Sequence, residues 1–213
     1  MKVVIQLIPM KVYDILIELL PMIILFSVVM TTVRLITIKY CKEEIVLYKE
    51  FKNLLYIVYC FILFQLVTTS DFESFSNNFV PFREIMRYST TSPLFFRNVV
   101  GNIAIFIPFG YLITDMIKEK AGKCNLFITC IITLLTSLTI EIIQMFIGRS
   151  FDVDDIILNL AGGLIGFIIY IIAHLIYKRI PDKYKKNSIK LLFFLGMALL
   201  FILLLIISYG VIK

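Results

Sequence analysis

Charge is scarce in this chain: 17% of its 213 residues are Asp, Glu, Lys or Arg and 60% are apolar, and the mean hydropathy is +0.96. Soluble domains carry about 25% charged residues, so this balance excludes an ordinary soluble fold. There is one histidine, His174, so paired-histidine zinc motifs such as HExxH are excluded. No GxSxG accompanies it, which leaves a serine hydrolase unsupported. The four cysteines, Cys41, Cys60, Cys124 and Cys130, form no CxxC pair and no disulfide framework, and they read as small apolar fillers. No internal repeat is visible, which argues against a transporter built on paired halves. No basic patch with interleaved aromatics is present, so nucleic acid is not expected as a partner.

What the chain does have is long apolar runs. Crossing ~30 Å of hydrocarbon takes about 20 residues, and six runs come close to or exceed that length: 13–33, 53–69, 99–117, 125–147, 156–177 and 190–210. The expected fold class is all-α, a polytopic integral membrane helical bundle of about six transmembrane helices in a single membrane domain over 1–213. Asp14 and Glu18 open the first run and no small-residue cleavage site follows it, so it reads as a retained span. In the loop 70–98, Pro81 precedes EIMRY at 84–88, which predicts a short amphipathic helix lying on the outer surface.

Lys and Arg set the orientation. With the N-terminus outside, the inner loops hold Arg34, Lys39, Lys42, Lys49, Lys52, Lys118, Lys120, Lys123, Lys178, Arg179, Lys183, Lys185, Lys186 and Lys190, which is fourteen of the 21 basic residues. The expected location is the cell membrane, multi-pass, with both termini outside. His174, beside Tyr177 and Lys178, reads as an interfacial anchor at the inner end of its span.

Polar residues recur at helical spacing inside the spans. Asn98, Asn102 and Phe106 share a face, with Pro108 and Gly110 further along and a kink expected just before the proline. Ser137, Glu141, Gln144 and Gly148 form one stripe, and Asp155, Asn159, Gly162 and Gly166 a second, whose GxxxG allows backbone-to-backbone packing. Between the stripes lies a hinge with Arg149, Asp152, Asp154 and Asp155. A carboxylate at the bilayer centre costs roughly 2.5–3.5 kcal/mol, so Glu141 needs a partner. Arg149, eight residues on and on the same side, is the first candidate, with an arginine folded in from the outer loop, Arg83 or Arg97, as the alternative. One of the three aspartates is expected to cap the following helix. Asp152 and Asp155 can share a face while Asp154 points away from it.

These residues carry a family resemblance. Asn102-x3-Phe106-x-Pro108-x-Gly110, Glu141-x2-Gln144, Arg149, Asp152-x-Asp154-Asp155, and Asn159 with Gly162, Gly163 and Gly166 resemble the VanZ-like (teicoplanin resistance) membrane protein family, as does Asn-Phe-Val-Pro-Phe-Arg at 78–83. The resemblance covers about 20–177, so the helix at 190–210 is extra. It implies an association with reduced teicoplanin susceptibility, by a route separate from remodelling of the cell-wall precursor, and it brings no settled reaction. The polar residues carried over, Asn102, Glu141, Gln144, Arg149, Asp152, Asp155 and Asn159, are the candidate ligand-binding set.

Two mechanisms follow. In the first, an outward-facing polar pocket engages membrane lipid headgroups, a lipid-linked cell-wall intermediate or the lipoglycopeptide itself, with no cofactor and no metal. In the second, Glu141, Asp152, Asp154 and Asp155 hold a divalent cation against a phosphate-bearing lipid-linked substrate, as a membrane-embedded enzyme would. The missing metal-enzyme spacings set the second behind the first.

Overall fold

A backbone surrounded by hydrocarbon has to pair its own polar groups, and each long apolar run described in the computed structural model is helical. The structure describes 47–69 and 77–181 continuously, with isolated positions between 21 and 40 and at 195, 196 and 199. The helices are α1 (Leu47–Thr69), α2 (Arg83–Arg87), α3 (Pro93–Ala121), α4 (Leu126–Phe146) and α5 (Val153–Arg179). Among the described residues there is no strand, only an isolated parallel bridge between Asn78 and Asp152. Three helices, α3, α4 and α5, are long and apolar enough to cross a membrane. The runs expected at 13–33 and 190–210 fall largely outside the described residues.

Residues 47–69 belong to one compact unit and 77–181 to another. In the first, the opening turn of α1 carries Glu50, which pairs with Arg34 at 2.8 Å. In the second, local chemistry places each helix end. The Ser92 side chain accepts the Phe95 N–H at 3.1 Å and Pro93 takes the first helical position, where its missing N–H costs nothing. The Asn125 side chain accepts the Ile128 N–H at 3.1 Å to start α4. Gly122 ends α3 in the left-handed region at φ 72°.

The irregularity in α3 does not lie where the proline suggests. Pro108 is buried inside a continuous helical stretch, whereas Phe96–Val100 forms a π turn. A π turn inserts a residue and rotates what precedes it. Asn98 and Asn102 therefore part company: the Asn98 amide donates to the Tyr88 hydroxyl at 2.9 Å, and the Asn102 amide to Asp155 Oδ1 at 2.5 Å.

Glycines join α3 to α5. A Cβ on Gly162 would run into the Ile103 carbonyl oxygen, one on Gly166 into that of Ile107, and one on Gly110 into the Gly163 backbone. With no side chains between them, the two backbones pack directly. On its other side α5 meets α4, where a Cβ on Gly163 would lie 2.6 Å from Thr133 Cγ2. Every buried residue of α4 is polar: Thr129, Thr133, Ser137, Glu141 and Gln144. The threonines satisfy themselves locally, Thr133 Oγ1 donating to the Thr129 carbonyl at 2.8 Å and Thr114 Oγ1 to that of Gly110 at 2.6 Å. Apart from Thr136 and Thr139, whose hydroxyl donates to the Leu135 carbonyl at 2.8 Å, the rest of α4 is apolar, and Phe127, Leu135 and Phe146 are exposed on it, as a lipid-facing helix requires.

Candidate functional site at the acidic end

The chain leaves α4 through Gly148 at φ 88° and enters α5 five residues later, and this tight return brings the two polar stripes together. Glu141 is only 1% exposed. Its Oε2 accepts the Asp152 N–H at 2.9 Å. With its amide nitrogen turned toward the carboxylate, Gln144 donates to Glu141 Oε1 at 2.9 Å, while its oxygen accepts from Arg149 Nη1 at 2.7 Å. Arg149 thus joins Glu141 through Gln144, a relay that residue spacing does not reveal. The Arg149 N–H is itself tied to the Gln144 carbonyl at 2.9 Å.

The three aspartates hold three different positions. Asp152 caps α5, its Oδ1 accepting the Asp154 N–H at 2.8 Å and the Asn78 amide at the same distance. Asp155 accepts from Asn102 and so ties α5 to α3. Asp154, 1% exposed, turns away from both, as helical spacing requires, and its two oxygens take the backbone N–H groups of Phe82, Glu84 (2.7 Å) and Ile85 (3.2 Å). It is the anchor that sequence reasoning missed, although a third aspartate with no capping duty was the signal for it.

The segment so held is 77–87. Asn78 N–H donates to the Phe151 carbonyl at 2.8 Å, Val153 N–H returns to the Asn78 carbonyl at 3.0 Å, and Phe79 stacks on Phe151 with centroids 5.4 Å apart. Phe82 sits at φ 67°, the one non-glycine positive φ among the described residues. Pro81 therefore belongs to a turn ahead of α2, and Arg83 is the first helical residue. Around the turn Phe79, Val80, Phe82 and Met86 are exposed.

Asn159 stands one turn deeper than Asp155, its amide donating to Ser137 at 2.9 Å. Glu141, Gln144, Arg149 and Asp152 thus form one bonded group, Asn102 and Asp155 a second, and Asn159 with Ser137 a third. Burial raises the Asp152 carboxyl above its usual range, and the Asp154 N–H and Asn78 amide pull it back only in part. A carboxyl raised in this way costs stability as pH climbs from its unfolded value through its folded one, so mild acid favours this corner. Among the described residues no group of three or more His, Cys, Asp or Glu side chains has metal-holding geometry. Asp154, one of the expected cation ligands, has both oxygens committed to backbone N–H groups.

A family profile described as VanZ/LLP1 matches residues 51–174. The chain is similar to Protein VanZ of Enterococcus faecium, with 29% identity over 153 residues, covering 71% of this chain and 84% of that protein. No solved structure matches it.

Proposed function

Because the chain belongs to the VanZ/LLP1 family, we propose that its acidic end faces outward and engages a lipid-linked cell-wall component, a lipid headgroup or a lipoglycopeptide, lowering teicoplanin susceptibility. The observation that carries this reading is the Glu141–Gln144–Arg149 relay, in which a nearly fully buried carboxylate is linked by an amide to an arginine less buried than itself. Such a relay orients the guanidinium toward the surface with its charge partly balanced, a suitable geometry for a polar headgroup. Exposed Phe79, Val80, Phe82 and Met86, beside Arg83 and Arg87, suit insertion into the outer leaflet next to that site. The relative's name supports the link to resistance.

Orientation is tested by single cysteines in a variant lacking the native four. Ser150→Cys is expected to react with a membrane-impermeant maleimide on intact cells, and Lys123→Cys only after permeabilisation. The reverse pattern would refute an outward-facing site.

Glu141→Gln keeps an oxygen for the Asp152 N–H but sets two amides against each other at Gln144. In a teicoplanin-susceptible host, protection is expected to drop at least fourfold while detergent-extracted protein still elutes as one monodisperse peak. Arg149→Gln should do the same. Full protection from both variants at normal expression rules the relay out as the site.

A further inference from the structure

The other end of the α3–α5 pair holds a cluster that plays no part in the site above. Tyr111, Asp115 and Lys118 lie on α3, and Tyr170, His174 and Lys178 on α5. The Tyr170 hydroxyl donates to Asp115 Oδ1 at 3.1 Å. The Tyr170 ring lies edge-on to Tyr111 at 5.2 Å and parallel to His174 at 6.1 Å with 5° between planes. These contacts fix the imidazole, and its Nε2 is buried without a hydrogen-bond partner.

His174 and Lys178 are four residues apart, and Asp115 and Lys118 three, so each pair occupies one helical face. Lys118, Lys178 and Asp115 all act electrostatically on His174. Among the described residues neither lysine side chain makes an ion pair or hydrogen bond. Lys120, Lys123 and Arg179 add to the charge at this end, against the carboxylates of Asp115 and Glu119. The positive-inside rule assigns such an end to the cytoplasm. At the same level of α5, on the side of the helix turned away from His174, Ile172, Leu175 and Ile176 are exposed, an apolar wall at the depth of acyl chains.

We propose that the lysine-rich end of α3 and α5 binds the phosphate of an anionic lipid headgroup in the cytoplasmic leaflet, with Lys118 and Lys178 as counter-charges and His174 as a donor between them. Lysine ammoniums on flexible stems act as point charges that reach the headgroup plane, and cationic recesses between transmembrane helices on the cytoplasmic side suit lipid phosphates. The apolar wall selects a lipid over a free anion.

The test is native mass spectrometry of the full-length protein, delipidated and then offered phosphatidylglycerol, phosphatidylcholine or inorganic phosphate. Preferential retention of phosphatidylglycerol is expected, and the Lys118→Gln/Lys178→Gln double variant should lose it roughly ten- to thirtyfold. Lys120→Gln/Lys123→Gln removes the same charge from the same end without touching the cluster, and should lose clearly less retention than the Lys118/Lys178 pair. His174→Phe keeps the stack on Tyr170 but lacks Nε2, and should weaken retention with an unchanged melting point. Equal retention of phosphatidylcholine, equal loss in the two lysine pairs, or unchanged retention in His174→Phe would overturn the assignment. Competition by inorganic phosphate at equal concentration would also overturn it, pointing to a soluble anion as ligand.

Discussion

Asp154→Ala is expected to give a large loss of stability with no loss of helix content in α3 to α5. The carboxylate accepts three backbone N–H groups from Phe82, Glu84 and Ile85 while 1% exposed. Each buried donor left unmade costs about 1–3 kcal/mol. Water reaches part of a loop at a bundle end, so a total of about 3–5 kcal/mol is expected. Without that acceptor, the left-handed Phe82, whose conformation costs about 1–2 kcal/mol, is held only by the contacts of Asn78 and Phe79 at the start of the segment and by the local bond from the Met86 N–H. The chain has no tryptophan, so melting is best followed with a thiol-reactive dye on its own cysteines. Hydrogen exchange at the Phe82, Glu84 and Ile85 amides should accelerate, while exchange in α5 beyond Asn159 should not. Asp154→Asn keeps one acceptor oxygen and should fall between alanine and wild type. An alanine variant that melts with wild type would show that 77–87 is held by something else.

Gly166→Val should do more damage still, by a different route. The added atoms meet the Ile107 carbonyl oxygen and the Tyr111 nitrogen, which are backbone and cannot rotate away. Overpacking a core costs about 1–3 kcal/mol when side chains can yield. Here two helices have to separate, so about 3 kcal/mol is a lower bound, and loss of monodisperse protein on gel filtration is the expected readout. Gly148→Ala is the control: nothing lies within 4 Å of a Cβ there, and only its φ of 88° is offended. It should cost about 1–3 kcal/mol and leave the α3–α5 seam intact. If Gly166→Val purifies like wild type, the close approach of the two backbones does not hold the bundle together.

The seam was legible in the sequence because small residues four apart on an apolar helix have few other uses. The stripe Ser137, Glu141, Gln144 was legible for the same periodic reason, and all three are buried on one face of α4. Two things were not legible. The π turn at Phe96–Val100 leaves no compositional mark, yet it decides that Asn98 and Asn102 find different partners. Asp154 was hidden because what it binds is main chain, which is the same at every position, 69 to 72 residues away. The Gln144 relay was hidden because an amide between two charges looks, in sequence, like any polar residue on the stripe.

The bridge between Asn78 and Asp152 also bears on the order of events at the ribosome. Asn78 is made 74 residues before the carboxylate that receives its amide. At 5–20 residues per second, that interval is roughly 4–15 seconds. Through it the 77–87 segment waits for the hinge and first turn of α5 that will hold it, and the amides of Asn78, Phe82, Glu84 and Ile85 have only water or lipid headgroups to satisfy them. Docking becomes possible only when the start of α5 has been synthesised and the return after Gly148 has formed. The acidic end thus cannot close before the chain has passed Asp154, and any nascent chain stopped before Asp152 carries Phe79, Val80 and Phe82 without their anchor.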